Sequence, residues 1–286
     1  MRTILVPVGG ADSDDTVLET ACAVARPSGA HLEFLHILLS PGEAAAAAPE
    51  NAFAVGPALG HMLDRLQAEA LDRSAAAARH VGDFCARRQI PVSGAAGPCG
   101  TMTASWQEEV GEAPERLLRR ARRNDLIVTA RPSRPNGLPA DLLELLLLRA
   151  GRPLLLAAPG RPLQGLGTVV VCWKETAEAA RAVAAALPLL GRAERVVVLA
   201  VDEGGAPGAA EGVAGHLAWH GIAAETRRLE AGRRPVAALL AEGAAAAGAD
   251  LVVMGGFGIG RVRQALFGGC TRAVLEGFPL PVLLAH

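Results

Sequence analysis

A chain of 286 residues has room for one large or two ordinary domains, and 51% apolar residues give it material for a substantial core. A formal net charge of −1, no tyrosine and only 3% aromatic residues argue against a nucleic-acid or anionic-membrane partner, because neither a global field nor base-stacking platforms are on offer. No apolar run reaches the roughly 18 residues of a membrane span, and five scattered cysteines without a CxxC argue against a disulfide framework or zinc site and suit a reducing cytoplasm.

The opening "MRTILVPV" lacks the apolar length and cleavage site of a signal peptide and reads as a first strand. In chain order the strand candidates are Thr3–Val8, His31–Leu38, Met102–Val110, Leu126–Ala130 and Leu154–Ala158, then Thr168–Trp173, Arg195–Val201, Ala224–Leu229, Leu251–Met254 and Val282–Ala285. Amphipathic stretches with apolar residues at helical spacing lie between them, among them Leu59–Arg88, Glu175–Leu190 and Arg234–Ala247. Strands that are apolar almost throughout, alternating with helices, imply parallel sheets covered on both faces.

The two halves echo each other. "NDLIVTA" (Asn124–Ala130) matches "ADLVVMG" (Ala249–Gly255), "GRPLLLAAP" (Gly151–Pro159) matches "PLPVLLAH" (Pro279–His286), and "TILVPV" matches "TVVVCW". A repeat this long implies a duplicated domain. The expected domains are 1–160 and 166–286, divided within "PGRPLQGLG" (Pro159–Gly167), which has linker composition. Pro41–Pro57, rich in alanine, proline and glycine, and Pro91–Gly100 read as loops.

The segment with most chemical content is "VVMGGFGIGRVRQALFGGCTRAVL", Val252–Leu275. Its spacing is Gly255-x-x-Gly258, nine residues, then Gly268. No Gly-Lys-Ser/Thr follows, and Arg261 stands at the third glycine of a GxGxxG counted from Gly256, so the two commonest phosphate signatures are excluded. The physics still admits an anion. Ligands of open α/β sheets bind at the carboxyl ends of strands. Gly255 and Gly258 would let the backbone approach a ligand and visit positive φ. Gly268, Gly269, Cys270 and Thr271 fall where a helix begins, and its first N–H groups lack internal partners and carry partial positive charge. Arg261 and Arg263 read as surface residues at the mouth. The alternative is that these glycines form only a tight turn and a cap.

This spacing, its place before the last strand and the doubled five-strand pattern resemble the universal stress protein family in its tandem two-domain form, over nearly the whole chain. The resemblance implies two tandem doubly wound five-stranded parallel α/β domains of the adenine nucleotide alpha hydrolase-like kind, packed through their sheet edges as an intramolecular pseudo-dimer. It implies a regulatory stress-response protein that binds ATP or another adenine nucleotide, with Mg²⁺ undetermined. By the resemblance Gly255, Gly258, Gly268, Gly269 and Cys270 are phosphate-loop positions, Met254 lies beside the ribose, and Val201, past the second strand of that half, offers backbone to the adenine edge. Two positions depart from the family. Gly269 stands where a Ser or Thr is usual, with Thr271 as a partial substitute, and Lys174, the one lysine, stands where the half's first strand is usually followed by an acid. Lys174 is either a surface residue or a contact to phosphate, and Glu175 either pairs with it, meets a ribose or marks a helix start. In the first half Gly9 takes the acid's place, and Pro132, Pro135 and Pro139 replace the spaced glycines, removing N–H donors. Arg131 and Arg134 offer side chains to an anion there, but that half reads mainly as a packing partner.

Other candidates read as structural: His31 and His36 on the second strand, and His216 with His220 four apart. Glu108 and Glu109, adjacent in a strand, face opposite ways and form no acid/base pair. "RLLRRARR" (Arg116–Arg123) reads as a solvated helix surface. Cys172 and Cys270 both fall near the crevice, as buried thiols or a redox-sensitive site. No carboxylate stands convincingly where Mg²⁺ or an attacking water would be held, which favours binding of a small phosphorylated ligand over a slow ATPase. A nucleotide-free scaffold, and a homodimer of the tandem chain, stay open.

Overall fold

A computed structural model describes residues 1–9, 14–38, 57–95, 97–98, 100–131, 140–202, 208–256 and 269–286. The first half runs β1 (Thr3–Pro7), α1 (Asp14–Ala25), a 3₁₀ turn (Arg26–Ser28), β2 (His31–Leu38), α2 (Pro57–Arg88), β3 (Thr103–Val110), α3 (Ala113–Ala121), β4 (Leu126–Ala130), α4 (Ala140–Arg149) and β5 (Leu154–Ala157). The second runs β6 (Thr168–Trp173), α5 (Ala177–Leu190), β7 (Arg195–Asp202), α6 (Ala209–Trp219), β8 (Ala224–Glu230), α7 (Val236–Ala246), β9 (Leu251–Gly255), α8 (Gly269–Gly277) and β10 (Val282–Ala285).

The ten strands form one sheet in the order β3-β2-β1-β4-β5-β10-β9-β6-β7-β8. Within each half all neighbours are parallel. The halves meet where β5 and β10 pair antiparallel, with Leu155 opposite Leu283. This is the edge-to-edge packing expected of the doubled pattern, with the two sheets continuing into each other through backbone hydrogen bonds.

Side-chain alternation explains how one sheet carries two cores. Ile4 and Val6 face one side with Val169, Val171 and Val253, beneath α1, α2, α5 and α6. Leu5 and Ile127 face the other with Val170, Val197 and Val252, beneath α3, α4, α7 and α8. Each core runs without interruption across the junction. The repeat is visible in local detail too. The Asp125 Oδ2 accepts the N–H of Arg2 at 2.6 Å and of Thr3 at 3.2 Å, and the Asp250 Oδ2 accepts that of Thr168 at 2.9 Å, so one aspartate ties down the start of each half's first strand.

Three expectations change. The connector between the halves is not a free tether: Leu163 and Leu166 are buried, and the Leu163 N–H donates to the Thr20 hydroxyl on α1 at 3.2 Å. The arginine-rich α3 is not merely solvated, because Arg119 donates to Glu109 on β3 at 3.1 Å and Arg120 bridges Glu109 and Glu33. Glu108 instead accepts from Ser74 of α2, so the two acids do face opposite ways. Arg131, weighed as an anion contact, is spent on carbonyls. Its Nε donates to Val274 at 3.1 Å, Nη1 to Ala157 at 3.1 Å and Nη2 to Leu280 at 2.7 Å. The residue is only 4% exposed, and burial lowers its guanidinium to about 10, still protonated at neutral pH. The segment 39–56 and Arg134 lie outside the described residues.

Leu155 is fully buried at the centre of the junction. Leu155→Ala should lower unfolding stability by about 2–5 kcal/mol, the usual cost of a core cavity, as measured by urea denaturation.

Candidate functional site

Within the second half, β6 has β7 on one side and β9 on the other, so the chain reverses its direction of winding at β6. Two crossovers diverge there and leave a gap above the strands' carboxyl ends. The gap is a crevice of about 1200 Å³. Its floor is Cys172, Trp173, Ala200, Val201, Met254 and Gly255 at the ends of β6, β7 and β9. Its walls are the first turns of four helices, α5, α6, α7 and α8.

The electrostatics follow from that convergence. Each helix start presents N–H groups without partners in the preceding turn. In α5 the Thr176 hydroxyl caps one of them, accepting from the Ala179 N–H at 3.2 Å. In α6 the N-cap is Gly208, at φ 90°, and in α7 it is Pro235; neither supplies a side-chain cap. The first turn of α8 follows directly on undescribed residues. Lys174 adds a positive side chain at the rim. Arg228 of β8 also lines the crevice, held by both carboxylate oxygens of Glu211 at 2.9 Å. Acids are present as well, Glu178 and Asp202 among them; Glu178 is 5% exposed and accepts from Arg181 at 3.2 Å. Glu175 accepts the Trp173 indole N–H at 3.2 Å.

Of the residues singled out in the sequence, Lys174, Val201, Met254, Gly255, Gly269, Cys270 and Thr271 all line this one crevice. Gly258 and Gly268, with Arg261 and Arg263, lie outside the described residues. Two roles are corrected. Val201 lies inside β7, paired in register with Leu229, rather than past the strand's end; it is β6 that stops short, with its last residue Trp173 opposite Ala200. Gly255 does not adopt positive φ. A Cβ on it would stand 2.6 Å from the Ala179 nitrogen and 2.8 Å from the Glu178 carbonyl carbon, so its missing side chain admits the first turn of α5. Gly269 differs: a Cβ there would meet nothing within 4 Å.

The residues that sequence reasoning missed are Glu178, Asp202, Arg228 and the starts of α6 and α7 at Gly208 and Pro235. Their common signal is position, since each falls within a few residues of a strand's carboxyl end or a helix's first turn. The remaining candidates resolve as structural. Burial holds the Cys172 thiol, beside Cys270, well above the ordinary thiol range, so it stays protonated and unreactive. His31 bonds Thr103 at 2.8 Å and Ser105 at 2.9 Å. His216 and His220 meet edge to face at 4.9 Å, and among the described residues no cluster of three metal-ligating side chains occurs.

The first half differs at the corresponding strand end. Thr3 pairs with His31 as Thr168 pairs with Arg195. Counting from those starts, His36 of β2 occupies the place of Ala200 in β7. Its Nδ1–H donates to the Val8 carbonyl at 2.8 Å, and its ring stacks on Trp106 at 6.0 Å. A buried imidazole thus stands where the second half has a methyl group on a crevice floor.

A winding reversal with helix starts gathered over the strand ends defines the class, a doubly wound α/β protein with a crevice at the strand ends of its second half. Comparison with known proteins adds the family. Residues 166–286 match the model described as the Universal stress protein family. The second half is therefore a universal stress protein domain. A universal stress protein from Archaeoglobus fulgidus DSM 4304 is similar over 99% of this chain and 97% of its own, at 14% identity and a TM-score of 0.69. A putative universal stress protein from Pseudomonas aeruginosa UCBPP-PA14 is similar over 100% of this chain and 93% of its own, at 17% identity and a TM-score of 0.58. A functionally unknown protein from Pseudomonas aeruginosa PAO1 is similar over 100% and 92%, at 17% identity and a TM-score of 0.58. These likenesses establish the fold across both halves. No curated protein shows a significant match to the chain.

The two glycines predict opposite outcomes. Gly255→Ala should destabilise the protein by about 1–3 kcal/mol, since the α5 backbone it strikes has nowhere to go. Gly269→Ala should stabilise it by about 0.5–1 kcal/mol, because it removes glycine's entropy cost inside a helix without a clash. Thermal unfolding of the two variants reads both signs.

Proposed function

We propose that the second half binds ATP or another adenine nucleotide, and that the protein acts as a nucleotide-responsive regulator in the stress response rather than as a catalyst. The carrying observation is the convergence of four helix starts and Lys174 on one crevice above the winding reversal. Phosphate is the ligand such a site suits best, because helix-start N–H groups and helix partial charges act together on it. In this reading Gly269, Cys270 and Thr271 contribute first-turn backbone to the phosphates, together with Gly255, Gly258 and Gly268. Met254 and Val201 line the nucleoside end. Lys174 sits where the family usually has an acid and favours a strongly anionic ligand.

The first half serves as packing partner, with His36 at the place of Ala200. Among the described residues no helix is long and apolar enough to cross a membrane. We place the protein in the cytoplasm, where its scattered cysteines would stay reduced. Binding would change the protein's conformational populations, as a ligand does whenever it prefers one state.

Titration with ATP should raise the melting temperature, adding about 2.7 kcal/mol of stability at a hundredfold excess over Kd and rising logarithmically beyond it. Lys174→Glu should weaken binding by about tenfold, and added salt should weaken the unmodified protein in the same direction. Absence of any shift with ATP, AMP or inorganic phosphate would leave a nucleotide-free scaffold as the function of the fold. Release of phosphate in the presence of Mg²⁺ would point instead to a hydrolase.

A further inference from the structure

We infer that Arg131, contributed by the first half, is a positioning residue for the crevice of the second.

The first half holds α8 in place. This helix of nine residues is about 13 Å long. Its first turn, at Gly269, Cys270 and Thr271, forms one wall of the crevice. Its far end is gripped by Arg131, whose Nε takes the Val274 carbonyl while Nη2 takes the Leu280 carbonyl just before β10. The third bond, from Nη1 to the Ala157 carbonyl, fixes the guanidinium to the end of β5. One planar group therefore spans both halves and sets where α8 ends relative to the sheet. Among the described residues, its hydrogen-bond partners are these three carbonyl oxygens, with no carboxylate among them. Carbonyls of a helix's last turns carry the negative end of its dipole, which suits a buried cation. A lysine could not hold three diverging carbonyls at once, whereas the guanidinium's rigid fork can.

The second half lacks this device. The residue after β4 is Arg131, and the corresponding residue after β9 is Gly256. A Cβ on Gly256 would meet the Leu147 side chain of α4 at 2.8 Å, so that side of the junction is filled by a leucine instead. The guanidinium is thus found only on the side where the gripped helix borders the open crevice, and the helix on the other side belongs to the half with His36. A rigid helix transmits displacement from one end to the other, so loosening its carboxyl end misplaces the amides that face the crevice.

This inference rests on the nucleotide reading for its affinity arm only. The full-length chain should be compared as the unmodified protein, Arg131→Ala and Arg131→Lys, by hydrogen exchange and by ATP titration. In Arg131→Ala, exchange should speed up selectively across 269–277 while β6 and β7 keep their protection. ATP affinity should fall about tenfold, within the usual range of coupling between sites. Millimolar guanidinium, far below denaturing levels, should restore both by refilling the vacated site. Arg131→Lys should fall between the two and keeps the test alive if the alanine variant does not fold. Unchanged exchange across 269–277 would overturn the inference, and so would uniform loss of protection everywhere without guanidinium rescue. Should the unmodified chain bind no ATP, selective exchange in α8 with rescue would still support the positioning role while the nucleotide reading fails.

Discussion

Parallel strands cannot be joined by tight turns, and every crossover must carry the chain back to the same end of the sheet before the next strand begins. That constraint dictates the architecture. It puts all strand carboxyl ends and all helix starts of a half at one rim, and it makes β6, where the winding turns back on itself, the place where the rim gapes. The crevice is a geometric by-product of topology. What the sequence decides is whether the gap is left empty. Ala200, Gly208 and Gly269 leave it so in the second half; in the first, His36, stacked on Trp106, stands at the place of Ala200.

The same constraint accounts for the junction. Each half has two edge strands, and one of them, β5 or β10, is short and apolar on both faces. Leaving them open would expose a template for aggregation. Their antiparallel pairing removes two edges at once and merges the cores above and below the sheet. The outer strands left at the rim of the enlarged sheet are of another kind. β8 carries Glu225, Arg227, Arg228 and Glu230, and β3 ends in Glu108 and Glu109, charges that discourage further strands from adding.

Much of this was legible in the sequence because it is written in periodicity. All ten strands fall within a residue or two of their expected bounds, since continuous β-branched and leucine runs between helical stretches admit few other assignments. The repeat was legible for the same reason, and with it the edge-to-edge pairing. The crevice residues were legible as positions, since Lys174, Met254 and Gly269 follow strands or open a helix. Their individual roles were harder to read. Gly255 looks like a residue making way for a ligand, yet it makes way for α5, because a missing side chain does not say which neighbour fills the space. Arg131 reads as an anion contact beside prolines, and only the fold reveals three carbonyls converging on it. Leu163 and Leu166 sit in a stretch of linker composition, and their burial depends on α1, far away in the chain. Long-range packing of this kind leaves no local pattern.

The packed connector at 158–167 has a consequence for how the two copies could change. Two identical subunits that meet by diffusion share one gene, so any substitution strikes both binding sites together. Here the partner is covalently attached and present at an effective concentration that dilution does not touch. Each copy therefore accumulates its own substitutions while the pair stays assembled. One can carry a histidine where the other has an alanine on a crevice floor, an inequality that a symmetric assembly has no means to inherit.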